Sequence, residues 1–396
     1  MTQDVYILSA ARTAVGRFGG GFADVPLEDL GTHALKAAIE RSGVQADQVE
    51  SAVVGNVLRT QSKDVYLART MAISAGMAES SHAVTVNRLC GSGLEAIVQA
   101  SQQIMLGDVS VAVAGGAESM SRTTYSSSTP RFGQKMGPVT LDDDMLAALS
   151  DPFGSGHMGM TAENVSEQFG IDRAAQDAFA EESHRRAIHA IDNGYFREQI
   201  VPFEIATRKG TTVIDTDEHA RRDVTAQGLS ALKPAFKRDG GTVTAGNASG
   251  LNDGASMLTL ASGDIVKQGG LQPMAKLVSY ARAGVAPSIM GTGPIPAVKL
   301  ALARTGLSVD DIDVIESNEA FAAQACAVAK ELNFPAEKTN PNGGAVALGH
   351  PIGATGAIIT TKCLYELKRT GGRYGLVTLC IGGGQGIAAI FENVQR

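Results

Sequence analysis

Two cysteines and one histidine stand at glycine-rich turns far apart in the chain. Cys90 opens a predicted helix, and Cys380 ends an apolar strand before three glycines. His350 stands between Gly349 and Pro351. A thiol at a helix N-terminus lies near unpaired amides, which lower its pKa and can hold an oxyanion. The pattern predicts that Cys90 is a nucleophile for acyl transfer, against the alternative that it is a small buried side chain.

The other polar groups at these turns suggest proton transfer and oxyanion binding. His350, on a rigid bend, could deprotonate a thiol or donate to an oxyanion, although a lone histidine in a turn is often structural. Cys380 could move a carbon-bound proton, with the Gly382 amide stabilising the enolate; alone it would be structural as often as not. Asn318 follows a predicted strand and could hold a water or a carbonyl oxygen, although asparagine is also a turn residue. Cys326 and Cys363 are predicted to be core residues.

Composition excludes several classes of protein. The 396 residues carry a net charge of −7, so we expect no general attraction to nucleic acid or to an anionic membrane. Four cysteines without zinc-site spacing predict neither a disulfide framework nor a metal site. No apolar run predicts a transmembrane helix, and the first residues do not resemble a signal peptide, so a cytoplasmic location is expected. Seven Lys/Arg against five Asp/Glu in 205–240 mark where a phosphate-bearing ligand could bind, although a solvated surface is nearly as plausible.

The chain repeats itself weakly, which predicts a duplicated fold. Residues 35–43 resemble 298–306, and each segment ends in a glycine just past a helical pattern. Strands alternating with helices predict a layered α/β fold with largely parallel pairing. The helix predicted over 94–105 is apolar on several sides and suits the middle layer of a five-layered sandwich. Gly-Gly turns are predicted at 115–116 and at 382–383.

Residues 121–250 interrupt the repeat and form an insertion. Residues 121–138 are predicted to be a loop, and a charged helix is expected from an Asp172 cap to residue 193. On that helix we expect the ion pairs Glu181–Arg185 and Glu182–Arg186, and solvated positions for His184 and His189.

A second glycine pattern offers a different function. Residues 91–96 fit GxGxxA after a predicted strand, as in a dinucleotide-binding turn. The ribose-binding acid that should follow is not evident, so an NAD-dependent oxidoreductase is the weaker interpretation.

Four motifs together resemble the signatures of the thiolase family. They are the CGSG turn at Cys90, Asn318-Glu319-Ala320-Phe321, Gly349-His350-Pro351, and Cys380 with its following glycines. The resemblance spans essentially the whole chain and is narrowest with tetrameric acetyl-CoA acetyltransferases and short-chain β-ketothiolases. It implies a duplicated five-layered αβαβα sandwich with an inserted loop domain.

The resemblance also implies a role for each residue. Cys90 would take the acyl group with help from His350, and Cys380 would move the α-proton of a second acyl-CoA. His350 and a water on Asn318 would form one oxyanion hole, and the amides of Cys90 and Gly382 the other. Coenzyme A would be a substrate, with no resident cofactor. By similarity, residues near CoA or lining the acyl and pantetheine tunnel are His157, Arg221, Ser249, Leu149, Met158, Phe236, Met290 and Phe321. Gly228 departs from close relatives, which often have a serine contacting CoA there.

Domain boundaries and assembly follow from the same resemblance. The N-terminal half is expected over 1–120 plus 251–272, the loop domain for CoA binding and oligomerisation over 121–250, and the C-terminal half over 273–396. A homotetramer is implied, as a dimer of dimers. The rivals are a decarboxylating ketoacyl-synthase-like enzyme, which needs no second thiol, a longer-chain thiolase of β-oxidation, and a non-catalytic lipid-binding relative, which should lack one of the three site residues.

Overall fold

The computed structural model describes residues 3–208 and 210–395. Four residues lie outside the described ranges: Met1, Thr2, Lys209 and Arg396. Met1 is the first residue of the predicted N-terminal half, and Arg396 is the last residue of the predicted C-terminal half.

Strands and helices alternate through both halves of the chain. The strands are β1 Val5–Arg12, β2 Gly16–Arg17, β3 Ser51–Gly55, β4 His82–Val86, β5 Val111–Ser119, β6 Tyr125–Ser126, β7 Asp142–Asp143, β8 Ser150–Asp151, β9 Gly156–His157, β10 Phe203–Thr207, β11 Gly210–Ile214, β12 Asn252–Ser262, β13 Ala275–Gly284, β14 Val314–Ser317, β15 Tyr374–Ile381 and β16 Gln385–Asn393. The helices are α1 Leu27–Ser42, α2 Leu67–Ser74, α3 Ser92–Leu106, α4 Asp144–Ala148, α5 Met158–Phe169, α6 Arg173–Asp192, α7 Ala226–Ser230, α8 Gly263–Gly269, α9 Pro294–Ala303, α10 Ala322–Leu332, α11 Ala345–Leu348 and α12 Ile352–Thr370. Short 3₁₀ turns occupy Ala46–Gln48, Ser62–Tyr66, Met120–Arg122, Thr129–Phe132, Pro287–Thr292 and Val309–Asp311.

Within the described ranges, ten strands form one mixed sheet in the order β14-β15-β16-β13-β1-β12-β5-β3-β4, with β2 paired to β12. The prediction of largely parallel pairing is wrong. Among these described strands, only β3–β4, β3–β5 and β14–β15 are parallel, at the two ends of the sheet. The central strands are antiparallel because they do not return through helical crossovers; β15 and β16, for example, are joined by a short glycine turn.

The two halves of the sheet face each other across α3 and α12, which produces the expected five layers. Apolar residues of α3 and α12 pack between the half-sheets, where Leu94, Ile97 and Cys363 are fully buried. Helix α1 covers the outer face of the first half-sheet. Helices α9 and α10 cover the outer face of the second. The α/β sandwich expected from the sequence is confirmed.

The Gly-Gly turn predicted at 115–116 is wrong, because both glycines lie inside β5. Their lack of a side chain serves packing. A Cβ on Gly116 would lie 2.2 Å from the carbonyl oxygen of Gly353, at the start of α12. The glycines at 382–383 do form a turn, between β15 and β16. Gly116 therefore lets α12 approach the sheet closely, Gly115 lies against the backbone of β12 at Ser256, and the glycines at 382–383 reverse the chain.

The insertion carries α6 as expected, with the Asp172 carboxylate accepting from the Ala175 amide. Two details of this helix differ from expectation. Glu182 pairs with Arg186 as predicted, but Arg185 pairs with Glu182 too, because Glu181 instead accepts from the Ala226 amide. His184 is only 2 % exposed, since its ring faces the following segment and accepts the Arg221 amide. His189 is exposed, as predicted.

A buried ion pair joins the insertion to the sheet. The guanidinium of Arg12, at the end of β1, makes two bonds of 2.7 and 2.9 Å to the Asp217 carboxylate. Arg12 also donates to the Gln199 side chain, and neither Arg12 nor Asp217 is more than 4 % exposed. Both polar partners are therefore needed inside the folded protein.

No helix in the described part of the chain is long and apolar enough to cross a bilayer.

Candidate active site

Residues from both halves and from the insertion surround one cavity of about 400 Å³. Cys90, His350 and the Gly382 backbone reach it from three different segments. The remaining wall is mostly apolar and includes Met120, Met145, Leu149, Met158, Phe236, Met290 and Phe321. An apolar cavity with a few convergent polar groups is the usual form of a small-molecule site.

Cys90 occupies a tight turn between β4 and α3. The preceding Leu89 has a φ of 45°, which is uncommon for a residue with a side chain. The turn is fixed by Ser92, whose hydroxyl donates to the Leu89 carbonyl at 2.7 Å and accepts from the Arg88 amide at 2.8 Å. Cys90 stands two residues before α3, not at its first turn, because Gly91 is the N-cap.

The predicted lowering of the Cys90 pKa is wrong for the free protein. Burial raises the pKa of the thiol to about 11, which outweighs the bonds from its own amide and from the Gly382 amide. The amides are still placed as the sequence suggested, next to the sulfur. The resting thiol is therefore protonated at neutral pH and needs a base.

His350 is held by its backbone and by one ring nitrogen. Its amide donates to the Asn252 side chain at 2.9 Å, and Gly349 (φ 101°) has no room for a Cβ beside the same asparagine. Nδ1 lies 2.6 Å from the Thr355 hydroxyl. Nε2 is buried and has no hydrogen-bond partner, and burial lowers the pKa of the ring to about 4. The imidazole is therefore neutral, with its Nε2 unpaired.

Cys380 lies beneath the cavity at the end of β15 and is fully buried. It packs with Met158, Met290 and Phe321, which themselves line the cavity. Burial, and then the nearby Cys90, raise its pKa well above the usual range. Cys380 does not itself line the cavity; it lies behind the wall formed by these side chains, near Cys90.

Asn318 stands just after β14, at the same end of the sheet as Cys380. Its amide donates to the Thr378 carbonyl at 3.0 Å, which aligns it with β15. Its side-chain nitrogen and oxygen are buried, and neither has a hydrogen-bond partner. Two unpaired polar atoms in a 2 % exposed residue are costly unless a water or a substrate binds them.

The next residue, Glu319, anchors this loop. Its carboxylate accepts from Ser183 at 2.7 Å, from Asn340 at 2.8 Å and from the Val346 amide at 3.1 Å. Burial raises the pKa of the carboxyl group. Glu319 thereby connects the Asn318 loop to α6 of the insertion.

Most of the residues expected near CoA line the cavity. These are His157, Leu149, Met158, Phe236, Ser249, Met290 and Phe321. His157 caps α5 through Nδ1, which accepts the Gly159 amide at 3.1 Å, and its ring stacks on Phe236 with centroids 4.7 Å apart. Burial lowers the pKa of His157.

Arg221 is placed elsewhere. It is exposed and lines a separate surface hollow with His184, Arg185 and Arg222. Gly228 is exposed too, in α7, where its amide donates to the Thr225 hydroxyl. Arg221, expected near CoA, is therefore not among the residues that line the cavity.

Several functional features were not anticipated from the sequence. Thr355, which contacts His350, lies in the first turn of α12. Its position five residues after His350 was the sequence signal that could have identified this contact. Glu118 is fully buried and accepts from the Gly353 amide at 2.8 Å and the Val57 amide at 3.1 Å, which holds the start of α12. No local pattern marks such a long-range contact. Cys363 is core as predicted, but Cys326 is only half-buried and borders a second cavity.

Of the two glycines in the GxGxxA pattern, Gly91 lies against Ile381 of β15 and Gly93 against α12. A Cβ on Gly93 would lie 2.7 Å from the Ala357 amide nitrogen of α12. The space where a dinucleotide pyrophosphate would bind is therefore filled by a neighbouring helix. No group of three or more His, Cys, Asp or Glu side chains arranged for a metal occurs within residues 3–208 and 210–395.

Comparison with known proteins agrees with this geometry over the whole chain. Residues 5–264 match the family model of the thiolase N-terminal domain, and residues 271–393 that of the thiolase C-terminal domain. The chain is 55% identical over 394 residues to beta-ketothiolase BktB of Cupriavidus necator, with 100% of each chain covered. It is 47% identical over 395 residues to an acetyl-CoA acetyltransferase of Shinella zoogloeoides, again with 100% of each chain covered.

Solved structures of acetyl-CoA acetyltransferases and thiolases are also similar to this chain over nearly its whole length. The acetyl-CoA acetyltransferase of Bacillus anthracis superimposes with a TM-score of 0.96 at 45% identity, covering 99% of each chain. Human mitochondrial 3-ketoacyl-CoA thiolase in complex with CoA gives a TM-score of 0.95 at 44% identity, covering 99% of this chain and 98% of that one. With Cys90 and His350 at one cavity, Cys380 buried behind its wall, and both family domains matched, the chain belongs to the thiolase family.

Proposed function

We propose that this chain is a β-ketothiolase, an acetyl-CoA C-acetyltransferase. It catalyses the reversible Claisen condensation of acetyl-CoA with an acyl-CoA, and in the other direction the thiolysis of short-chain 3-ketoacyl-CoA. The observation that supports this most directly is the meeting of Cys90, His350 and the Gly382 amide at one apolar cavity, with Cys380 beside Cys90.

In the first half-reaction, Cys90 becomes acylated. The Cys90 proton passes to Nε2 of His350, and the sulfur attacks the thioester carbonyl. The amides of Cys90 and Gly382 bind the oxyanion, as their placement at the sulfur suggests. The CoA sulfur then leaves and takes the proton from His350, which regenerates a neutral imidazole.

In the second half-reaction, Cys380 acts on carbon. The Cys380 proton first passes to Nε2 of His350, and the resulting thiolate removes an α-proton from a second acyl-CoA, whose enolate is stabilised by the newly protonated Nε2 and by a water on Asn318. The enolate carbon attacks the acyl-Cys90 carbonyl, and the Cys90 sulfur leaves and takes the proton from Nε2, which restores the neutral imidazole. Cys380 retains the α-proton and returns it in the reverse direction. The unpaired atoms of Asn318 and His350 support these assignments.

The second thiol argues against a decarboxylating condensing enzyme, in which loss of carbon dioxide makes the carbanion without a base. Longer 3-ketoacyl-CoA substrates are the second candidate. The apolar wall of methionine, leucine and phenylalanine, and the similarity to human mitochondrial 3-ketoacyl-CoA thiolase, favour testing them. Thiolysis rates across a series of 3-ketoacyl-CoA chain lengths distinguish the two.

The acyl-enzyme is the decisive test of this function. Incubation with acetyl-CoA should add one acetyl group to Cys90, found by mass spectrometry of peptides. Cys90→Ala should abolish both the adduct and turnover. Cys326→Ala is the matched control, because its half-buried thiol lies at a different cavity and the variant should keep both. An acetyl group on another residue of an active Cys90→Ala variant would refute the proposal.

We also propose that CoA is a substrate and that no resident cofactor is needed. The insertion over 121–250, including Arg221, would bind the polar part of CoA, with the two halves bounded as expected above. The protein would act in the cytoplasm, in fatty acid metabolism, as a homotetramer.

Exposed apolar side chains support the proposed assembly. One group borders the edge strand β4 and includes Tyr66, Ile73 and Val84. The other belongs to the insertion and includes Phe132 and Met136, which are 95% and 87% exposed. Such surfaces are typical of interfaces between subunits, and an edge strand is a ready template for pairing.

A further inference from the structure

Among the described residues, the His350 ring makes one side-chain hydrogen bond, to Thr355. The Thr355 hydroxyl lies 2.6 Å from Nδ1, and Thr355 is 1 % exposed. Burial is the cause that lowers the pKa of the ring, with no contribution from a carboxylate. In serine-type triads an acidic residue selects the tautomer of the catalytic histidine. In this protein the partner of His350 Nδ1 is instead the neutral hydroxyl of Thr355.

The direction of this hydrogen bond follows from the neighbours of Thr355. Its hydroxyl lies 2.9 Å from the Pro351 carbonyl, four residues earlier at the start of α12, and can donate its only hydrogen there. The oxygen is then left as an acceptor, and the group 2.6 Å away must donate to it. That donor is Nδ1–H of His350.

The resulting tautomer is the one that the proposed function requires. A hydrogen on Nδ1 leaves a lone pair on Nε2, which is buried, unpartnered and part of a residue that lines the cavity with Cys90. Only an unprotonated Nε2 can take the proton from a thiol that is itself protonated. The opposite tautomer would point an N–H at the thiol and could not remove its proton.

We propose that Thr355 is a positioning residue, whose hydroxyl holds the hydrogen of His350 on Nδ1 so that Nε2 is the base for Cys90. The expected effect on the rate of Cys90 acetylation rests on the proposed function, whereas the assignment of the His350 tautomer does not. After proton transfer both ring nitrogens carry hydrogen, and the Nδ1–H bond to Thr355 is retained. The hydroxyl therefore stabilises the imidazolium as well as selecting the starting tautomer.

The chain offers a matched control in the same helix. Thr360 is fully buried in α12, and its hydroxyl donates to the Gly356 carbonyl at 2.7 Å, in the same i to i−4 arrangement as Thr355 and Pro351. Its described side-chain bond does not involve His350. Replacing each threonine by valine keeps the shape and removes the same intrahelical bond, but only Thr355→Val removes the partner of the imidazole.

The first experiment observes the tautomer directly. Nitrogen NMR of histidine-labelled full-length protein without substrate, with the His350 signals assigned by their loss in His350→Asn, distinguishes protonated from unprotonated ring nitrogens. We expect Nδ1 to be protonated and Nε2 unprotonated in the wild type and in Thr360→Val, and this pattern to be lost in Thr355→Val. A wild-type ring protonated at Nε2 alone, or no change in Thr355→Val, would overturn the proposal whether or not the enzyme is a thiolase.

The second experiment measures the kinetic consequence. We expect Thr355→Val to slow the acetylation of Cys90 by about 10- to 100-fold, which is part of the roughly 10²–10⁴-fold that a general base contributes as a whole. The KM for acetyl-CoA should change less than about threefold, and Thr355→Ser should restore the rate to within about threefold of wild type. Equal loss in Thr355→Val and Thr360→Val would show a structural effect and refute the role. Absence of acetylation in the wild type would instead refute the proposed function.

Discussion

The chemistry of Cys90 depends on the balance between burial and hydrogen bonding at a single sulfur. Glycine turns and a helix start predict a lowered pKa, and both are present. Burial still dominates, and it raises the pKa of the thiol to about 11 while it lowers the pKa of His350 to about 4. At neutral pH the resting pair is therefore a thiol and a neutral imidazole, not an ion pair.

Alkylation of the free enzyme should reveal this protonation state. Because the thiolate fraction rises about tenfold per pH unit below the pKa, the rate of Cys90 alkylation by iodoacetamide should climb steadily from pH 6 to beyond pH 9. An ion pair would instead give a plateau near neutral pH. Peptide mass spectrometry separates Cys90 from the half-buried Cys326. A plateau below pH 8 at Cys90 would contradict the raised pKa.

Cys380→Ser should separate the two half-reactions. A serine hydroxyl is far less acidic than a thiol, so proton removal from carbon should slow by about 10²–10⁴. Acylation does not need Cys380, so exchange of labelled CoA into acetyl-CoA should continue within about threefold of wild type. The two rates are measured on the same preparation. Near-normal thiolysis of acetoacetyl-CoA would exclude Cys380 as the base.

At the residue level, the sequence identifies which side chains meet but not their environment. The motifs containing Cys90, His350 and Cys380 are visible because glycine and proline mark their turns. Their pKa shifts depend on burial by residues hundreds of positions away, whereas the contact between His350 and Thr355 is local, five residues apart. His184 shows the same limit: it lies on a charged helix, yet the segment containing Arg221 covers it.

At the level of elements, the position of His350 depends on how closely α12 approaches the sheet. Gly116 of β5 lies against Gly353 at the start of that helix, and Glu118 of the same strand accepts the Gly353 amide. The helix start is thus fixed by contact and by a hydrogen bond. The turn that carries His350 precedes it directly.

Gly116→Ala should therefore damage both stability and catalysis. The new methyl group would lie 2.2 Å from the Gly353 carbonyl oxygen and 2.9 Å from the Ala354 Cα, and backbone cannot yield as a flexible side chain would. Overpacking of this kind costs about 1–3 kcal/mol. We expect a lower urea midpoint and at least a tenfold lower rate of Cys90 acetylation, within the range that misplacement of a base allows.

Gly254→Ala is the control for this prediction. Gly254 lies on β12 and pairs with Glu118 on the adjacent strand β5. A Cβ on Gly254 would be 3.4 Å from its nearest neighbour, a side-chain carbon of Pro351, which is ordinary van der Waals contact. This variant should keep the midpoint and the rate of the wild type. Equal behaviour of the two variants would show that close approach of α12 is not what Gly116 provides.

Element types were predictable, whereas strand direction was not. Periodicity and glycine stops place α3 and α6 within a few residues. Pairing direction depends on which strands become neighbours, and β12 reaches the sheet centre only after the whole insertion. For the same reason the glycines at 115–116 look like a turn in sequence, although in the fold they lie inside β5 and Gly116 accommodates a helix from the other half.

For the whole molecule, the exposed apolar segment of the insertion should hold subunits together. Replacing Phe132 and Met136 by aspartate places charge in the proposed interface, and we expect sedimentation to show two chains instead of four. Val213→Asp is the control, because this 49% exposed residue belongs to the β10–β11 hairpin and should leave the assembly intact. A four-chain double variant, or a single-chain wild type, would contradict the proposed assembly.

The buried pair of Arg12 and Asp217 has a consequence for any attempt to shorten this protein. A truncated chain that joins residue 120 directly to residue 251 would delete the Asp217 carboxylate together with Gln199 and Phe196, the insertion side chains that bond to Arg12 and lie against it. In the intact fold, removing the carboxylate alone would strand a buried charge at a cost of about 3–5 kcal/mol, a large share of what keeps a typical domain folded. The duplicated core is thus not an independent minimal enzyme, and the insertion must be inherited with it.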